Sequence, residues 1–306
     1  MGLLVNGLWK DIDYQTEKND GHFIRDNSNY RNSIDSSTSY IPESNRYHLY
    51  VSYACPWAHR TLIMRELKSL NEVISVDAVH PYMLKEGWMF KGDSKDSINN
   101  KNYLHEIYTL DNPNYSGRVT VPILWDKKNS KIVNNESADI IRIFNSAFDP
   151  ITKNKEDFYP QPLRDKIDEI NDLIYNKINN GVYKVGFATT QNAYSKAFDE
   201  LFETLEKLDS DLANKSFLVG DTLTEADIRF FTTLIRFDLV YYSHFKCNYK
   251  RMSDFRNLNL YLKRLYAINA FKKTTLPDHI KGHYYYSHTK INPNQIIPNG
   301  PYIEWL

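Results

Sequence analysis

The sequence predicts a mixed α/β domain followed by an all-α domain, and three observations support this prediction. The chain has 306 residues, which suits two domains of roughly 100–200 residues each. Strand patterns alternate with helical patterns only as far as about residue 148. Apolar residues recur at helical spacing through the remainder. We therefore expect an irregular N-terminal arm over 1–45, an α/β domain over 46–148, and a helical domain with an irregular tail over 149–306.

The α/β domain is predicted to begin with a strand, a turn and a helix. Residues 47–53 are rich in β-branched and aromatic side chains, Pro56 suits a first helical position, and residues 58–70 have helical spacing. A second strand is predicted at residues 73–79, which completes a βαβ unit with a right-handed crossover.

A helix, a hairpin and a second helix complete this domain in the prediction. The first helix lies near residues 103–110, the hairpin strands span 121–125 and 131–134, and Ser137 opens the last helix. The resulting order β-α-β-α-β-β-α is the thioredoxin arrangement. Residues 80–118 include a long loop, and such loops in compact domains usually serve a site.

The remainder of the chain is predicted to be helical after Asp149-Pro150. Thr224-Glu-Ala-Asp227 has the pattern of an N-terminal capping box. The helix that it opens is apolar nearly all round, as expected at the centre of a domain. A further helix is predicted at about residues 257–267.

Composition restricts the class of partner. Lys and Arg number 38 and so do Asp and Glu, which leaves no net field to attract nucleic acid. No apolar run approaches the roughly 18 residues of a membrane helix, and no secretory signal is evident. Two cysteines are too few for a disulfide framework or a cysteine metal site. We expect a cytoplasmic protein with no nucleic acid, membrane or metal partner.

Cys55 is the candidate nucleophile because it lies between a predicted strand and a helix that begins at Pro56. Backbone N–H groups and the helix dipole favour negative charge there, so we expect a lowered pKa for the Cys55 thiol. The alternative is a small buried filler residue. The third residue after it is Ala58 instead of a second cysteine, so turnover requires a thiol from solution. Cys247 is interpreted as structural, and His59 as a core or surface residue.

Three features suit a thiol tripeptide such as glutathione. Val121 precedes a proline at the start of a strand, where a cis bond often exposes backbone to a ligand; an ordinary edge proline is the alternative. Glu136 and Ser137 open a helix whose N-terminus favours a carboxylate, and plain capping by Ser137 is the alternative. Trp88 and Arg118 in the long loop provide a stacking surface and an anion partner, or serve only packing.

A set of longer motifs extends along nearly the whole chain. They are Gly21-His-Phe-Ile-Arg25, Tyr30-Arg31, Cys55-Pro-Trp-Ala-His-Arg60, Gly87-Trp88, Ser116-Gly-Arg-Val-Thr-Val-Pro-Ile-Leu-Trp-Asp126, Asn135-Glu-Ser137, Gly186-Phe-Ala-Thr-Thr-Gln191 and Ile291-Asn-Pro293 to Gly300-Pro301. With these motifs the sequence closely resembles the glutathionyl-hydroquinone reductases, the Xi class of glutathione transferases.

The resemblance implies a glutathione-transferase fold, a homodimer and a reaction. In that family the cysteine attacks the glutathione sulfur of a glutathionyl-hydroquinone, the hydroquinone leaves, and a second glutathione resolves the mixed disulfide. It implies that Cys55 is the nucleophile, with glutathione as co-substrate and no permanently bound cofactor. The residues that correspond to the family's glutathione contacts are Trp88, Arg118, Val121, Glu136 and Ser137.

Tyrosines of the helical domain hold the quinol ring in that family, and Tyr183, Tyr284 and Tyr285 are the candidates here. In the loop over 91–101 the sequence does not identify residues that correspond to the family's, which leaves its part in substrate choice open. Other functions also stay open. An Omega-like thiol transferase or dehydroascorbate reductase uses the same cysteine, a conjugating transferase requires a Tyr or Ser hydroxyl instead, and a transferase-like binding module has no reaction.

Overall fold

The computed structural model describes residues 2–13 and 16–306, and these form two compact units. The first unit contains the residues up to Asp13, Asp26–Asp157 and Thr274–His283. The second contains the segment ending at Arg25, Phe158–Lys273 and Tyr284–Leu306. Met1, Tyr14 and Gln15 of the predicted arm lie outside the described residues. Among the described residues, no helix is both long enough and apolar enough to cross a bilayer.

The regular elements are numbered in chain order. The strands are β1 (Leu3–Val5), β2 (Leu8–Lys10), β3 (Tyr47–Val51), β4 (Ser75–Ala78), β5 (Gly117–Arg118), β6 (Ile123–Asp126) and β7 (Lys131–Asn134). The helices are α1 (Pro56–Leu67), α2 (Leu104–Asp111), α3 (Ser137–Ser146), α4 (Asp149–Thr152), α5 (Arg164–Ile174), α6 (Gly181–Gly186), α7 (Gln191–Asp211), α8 (Glu225–Arg236), α9 (Arg256–Tyr266), α10 (Asn269–Thr274) and α11 (Pro277–Ser287).

A four-stranded sheet with the order β4-β3-β6-β7 forms the centre of the first unit. β3 pairs parallel with β4 and antiparallel with β6, which in turn pairs antiparallel with β7. β3 and β6 are buried along their whole length, which explains why their sequences lack polar alternation. The order β3-α1-β4-α2-β6-β7-α3 confirms the predicted thioredoxin arrangement.

Three predicted strands are shorter in the structure: the one predicted over 73–79 is observed as β4, and the other two are cut short for local reasons. β3 ends at Val51 because Ser52 already accepts a hydrogen bond from the Cys55 N–H in the following turn. β6 begins at Ile123 instead of Val121, because Pro122 has no N–H to donate to a ladder.

The N-terminal arm is not irregular throughout. β1 pairs antiparallel with both β2 and β5, which makes a second, three-stranded sheet. β5 lies more than a hundred residues further along the chain, so local periodicity carries no sign of this pairing. The arm also forms an isolated bridge between Arg31 and Asn134 at the edge strand β7.

The helical unit is organised around α8. All residues of this helix are buried, as its apolar sequence predicts. The capping box at its start is present, and the Asp227 carboxylate accepts from the Thr224 N–H at 2.8 Å. The same carboxylate accepts from the Leu218 N–H at 2.9 Å and from the Tyr261 hydroxyl of α9 at 2.7 Å. Asp227 therefore joins the loop before α8, the helix itself and α9.

Replacing Asp227 by alanine should destabilise the chain, because buried donors of the loop and of Tyr261 lose their acceptor. We expect a loss of roughly 2–4 kcal/mol in the free energy of unfolding, measured by urea denaturation. Asp221→Ala, at an exposed position on the same loop, is the matched control and should leave stability unchanged. Equal unfolding curves for the two variants would contradict the role given to Asp227.

Candidate functional site

Cys55 occupies the N-cap of α1, at the turn that leaves β3. Its N–H donates to the Ser52 carbonyl at 3.1 Å, and its carbonyl accepts from the His59 N–H at 3.0 Å. Pro56 is the first helical residue, as predicted. The Cys55 side chain is partly exposed, so the sulfur sits at a helix start within reach of a thiol in solution. His59 is buried and its Nε2 lies 2.9 Å from the Thr274 hydroxyl, in agreement with a core role.

The backbone of Val121 lies next to the cysteine sulfur. Cys55 Sγ is 3.6 Å from the Val121 carbonyl oxygen, and the Val121–Pro122 peptide bond is cis. Neighbouring Thr120 is held by the buried Tyr108, whose hydroxyl donates to the Thr120 carbonyl at 3.0 Å. No acceptor among the described residues binds the Val121 N–H. This N–H belongs to the same residue whose carbonyl contacts the sulfur.

Glu136, not Ser137, caps α3, which differs from the capping alternative considered for this motif. The Glu136 carboxylate accepts from the Ala138 N–H at 3.0 Å and from the Ser28 hydroxyl at 3.0 Å. Ser137 is the first helical residue and is buried, and its hydroxyl accepts from Arg60 Nη1 at 3.4 Å. The helix start thus presents a carboxylate beside a hydroxyl that a buried guanidinium contacts.

The Arg118 guanidinium already binds the N-terminal segment of its own unit. It donates to the carbonyls of Ile12 and Asp13 at 2.6 and 3.1 Å, and Nε lies 3.3 Å from an Asp26 carboxylate oxygen. At least three of its five N–H donors are therefore directed at the chain itself. Arg118 links β5 to the arm, and any ligand anion meets a cation that is partly neutralised.

Trp88 is a buried residue of the long loop, 7% exposed. Its ring stacks on His283 with the centroids 4.7 Å apart. His283 Nδ1 lies 2.9 Å from the Pro81 carbonyl, which fixes the imidazole against the same loop. The indole is thus held in a defined orientation within the first unit.

Two of the three candidate tyrosines come together in the second unit, with a third that the sequence analysis did not identify. The Tyr284 hydroxyl lies 2.7 Å from the Tyr183 hydroxyl and 3.0 Å from that of Tyr241. Burial raises the pKa of Tyr241 and of Tyr284 well above the ordinary value, so both stay protonated at neutral pH. Tyr183 is only half-buried, and the Arg25 guanidinium lies 4.9 Å from its ring centroid.

Tyr285 lies in different surroundings. Its hydroxyl hydrogen-bonds the Ser243 hydroxyl and donates to the Leu239 carbonyl at 3.4 Å. It lines a cavity of about 810 Å³ between α8, α9 and the C-terminal tail, together with residues such as Trp305. The structure therefore does not bring Tyr285 into the hydroxyl cluster of Tyr183 and Tyr284.

The residues that sequence reasoning missed are Ser28, Arg60 and Tyr241. Arg60 stands within the Cys-Pro-Trp-Ala-His-Arg motif, where its position one and a half turns after the cysteine was an available signal. Tyr241 ends a π-helical segment, Phe237–Tyr241, that continues α8. Such segments are frequent at functional sites, but an apolar helical pattern does not reveal them.

Cys247 does not provide a second reactive thiol. It is completely buried, and burial raises the pKa of its thiol well above the ordinary value. Its backbone N–H donates to the Tyr241 carbonyl, which fixes it in the helical core. In the part of the chain that the structure describes, no three His, Cys, Asp or Glu side chains gather as metal ligands.

Family comparisons match both units. The glutathione S-transferase N-terminal domain family matches residues 54–147, and the glutathione S-transferase C-terminal domain family matches residues 191–264. The chain is 51% identical to glutathionyl-hydroquinone reductase PcpF of Sphingobium chlorophenolicum, over 98% of this chain and 96% of that protein.

Solved structures give the same picture. The glutathione-bound structure of YqjG, a glutathione transferase homologue from Escherichia coli K-12, is 46% identical and superposes with a TM-score of 0.91, covering 99% of this chain and 97% of that chain. A Xi class glutathione transferase from Natrialba magadii is 45% identical, with a TM-score of 0.95 and coverage of 100% and 95%.

Alkylation of the native chain with iodoacetamide should modify Cys55 alone, because Cys247 is buried and protonated. Intact mass and peptide mapping should find one adduct before unfolding and two after it. The Cys55→Ser variant is the control and should take up no reagent while folded. A native adduct on Cys247 would contradict the burial described above.

Proposed function

The chain belongs to the Xi class of glutathione transferases, the glutathionyl-hydroquinone reductases, and on this basis we propose that it reduces glutathionyl-hydroquinones to hydroquinones with glutathione as co-substrate. One observation carries the proposal: a partly exposed cysteine at a helix start lies 3.6 Å from a backbone carbonyl on a cis-proline segment. Cys247 is buried, so the resolving thiol must come from solution.

The proposed reaction has two steps. The Cys55 thiolate attacks the glutathione sulfur, the bond from that sulfur to the ring carbon breaks, and the ring carbon takes up a proton as hydroquinone. A second glutathione thiolate then attacks the mixed disulfide and displaces Cys55 as thiolate. The ring carbon is reduced by two electrons, and the two glutathione sulfurs are oxidised to the disulfide.

We propose that glutathione binds along the first unit. The free N–H and the carbonyl of Val121 suit the backbone of an extended tripeptide, as in strand addition. The Glu136 carboxylate suits the ammonium of the γ-glutamyl group, and Ser137 with its Arg60 contact suits the neighbouring carboxylate. Trp88 and Arg118 remain the proposed stacking surface and anion partner, with Arg118 partly engaged by Asp26.

We propose that the tyrosine hydroxyls bind the quinol. Tyr241 and Tyr284 stay protonated, so their hydroxyl chain can direct a donated hydrogen bond through Tyr183, the least buried of the three. A donor aimed at a quinol oxygen stabilises negative charge that develops as the sulfur–carbon bond breaks. Tyr285, bonded to Ser243, lies outside this chain of hydroxyls.

A homodimer and a cytoplasmic location complete the proposal, and both rest on the family resemblance and the composition. An Omega-like thiol transferase is the second candidate, because the same cysteine turn on the same fold supports either reaction. Substrate preference separates the two. Activity on a mixed disulfide and dehydroascorbate, without activity on a glutathionyl-hydroquinone, favours the second candidate.

Cys55→Ser should abolish hydroquinone formation from a glutathionyl-hydroquinone, since the mixed disulfide cannot form. We expect kcat/KM to fall by at least about 1,000-fold. Chromatography of the hydroquinone product measures the rate. When the parent chain reacts with a glutathionyl-hydroquinone in the absence of free glutathione, only the first step can occur, and intact mass should show one glutathione, on Cys55. Cys247→Ser is the control and should keep the parent activity; turnover by Cys55→Ser would remove the mechanism.

Tyr183→Phe should lower kcat by about 10–100-fold, because a hydrogen-bond donor to the leaving quinol is lost. Tyr285→Phe is the control: it removes the same hydroxyl group from a tyrosine outside the cluster, and it should leave kcat near that of the parent. Iodoacetamide reactivity of Cys55 should be the same in both variants. The assignment is wrong if Tyr285→Phe shows the larger loss.

A further inference from the structure

The loop over residues 91–101 closes on a short ribbon that carries Trp88. The Phe90 N–H donates to the Asn102 carbonyl at 2.8 Å, and the Leu104 N–H donates to the Trp88 carbonyl at 2.9 Å. An antiparallel bridge joins Met89 to Tyr103 between these two bonds. Residues 88–90 and 102–104 are therefore paired, and the loop lies directly beyond the pair.

Asp96 holds the loop in its folded form. Its carboxylate is 4% exposed and accepts backbone hydrogen bonds from Ile98 and Asn99 at 3.1 and 3.0 Å, and from Lys101 at 2.9 Å. A fourth bond comes from the Tyr50 hydroxyl of β3 at 2.7 Å. One buried side chain thus orders the second half of the loop and ties it to the central sheet.

Tyr50 connects the loop to the ribbon as well as to the sheet. It is completely buried, and its hydroxyl also accepts from Asn99 Nδ2 at 2.9 Å. Its ring packs edge-on against Phe90, with the centroids 5.8 Å apart. Phe90 is two residues from Trp88, so movement of the Tyr50–Asp96 pair is transmitted to the ribbon through a packed contact.

A second carboxylate fastens the middle of the loop. Asp77 of β4 accepts from the N–H and the hydroxyl of Ser97 at 2.6 and 2.8 Å, and His48 Nε2 lies 3.3 Å away. Burial acts to raise the pKa of Asp77, but the neighbouring His48 imidazole and the hydrogen bonds from Ser97 outweigh it, and the pKa is lowered. The carboxylate that anchors Ser97 is therefore ionised at neutral pH.

The hydrogen bonds that order loop 91–101 thus connect it to strands of the central sheet. This connection bears on the open question of how the loop affects substrate choice. We propose that Asp96 is a positioning residue: it closes loop 91–101 onto Tyr50 and so fixes the ribbon that presents the Trp88 indole to glutathione. The proposal rests on the proposed glutathione contact of Trp88. The loop then affects binding of the glutathione moiety, which both glutathione and the glutathionyl-hydroquinone contain. Selection of the quinol depends on other residues.

The test is the affinity of the full chain for S-methylglutathione, which lacks an activated sulfur, together with steady-state kinetics. Asp96→Ala should weaken binding by about tenfold and raise KM for glutathione by a similar factor. At saturating substrate kcat should stay close to the parent value, and alkylation of Cys55 should be unchanged. A merely structural loss of folded protein would lower kcat and leave KM unchanged.

A double-mutant cycle with Trp88→Ala tests whether Asp96 affects glutathione affinity through Trp88. If Asp96 acts through Trp88, Asp96→Ala adds no further loss of affinity in the Trp88→Ala background, whereas additive losses overturn the proposal. Asp93→Ala, exposed on the same loop, is the matched control and should bind like the parent. Asp96→Asn, which keeps the side-chain volume, replaces Asp96→Ala in the cycle if the alanine variant does not fold.

Failure of the inference is distinguishable from failure of the proposed contact. Unchanged affinity in Trp88→Ala removes Trp88 as a glutathione contact and the inference with it. Weakened affinity in Trp88→Ala with parent-like affinity in Asp96→Ala overturns only the inference.

Discussion

The antiparallel pairing of β3 with β6 is the constraint on which the site depends. Tyr50 lies opposite Ile123 in this register, so the end of β3 and the beginning of β6 meet at one edge of the sheet. Cys55 follows β3 and Val121 precedes β6, which brings the sulfur to 3.6 Å from the Val121 carbonyl. A shift of one residue in this register would move the end of β3 relative to the start of β6 by about 3.3 Å and separate the two.

Buried carboxylates hold the irregular parts of the first unit to this sheet. Asp111 accepts from the Tyr30 hydroxyl of the arm at 2.6 Å, and Asp126 pairs with Arg46 at 2.6 Å where the arm enters β3. Buried Asp96 and the partly exposed Asp77 do the same for loop 91–101. Each carboxylate accepts several bonds at once, so backbone without a regular ladder still has its donors satisfied.

The helical unit places its polar groups differently. Each of two helices continues as a π-helical segment, Tyr175–Asn179 after α5 and Phe237–Tyr241 after α8. Tyr241 ends the second segment, and its hydroxyl joins those of Tyr183 and Tyr284. Burial raises the pKa of Tyr241 and Tyr284, which keeps both protonated, and the hydrogen bonds between the hydroxyls orient them.

Local patterns in the sequence were enough for the strand and helix order, the cysteine turn with Pro56, the cis bond before Pro122 and the capping box at Thr224. Each depends on residues a few positions apart, where steric limits and capping chemistry act directly. Tertiary structure decided the pairing of β1 with β5, the binding of Arg118 by the arm, and the hydroxyl cluster that includes Tyr241 and leaves out Tyr285. These features join residues about a hundred positions apart or depend on which side of a helix faces the interior, and neither leaves a periodic trace in the chain.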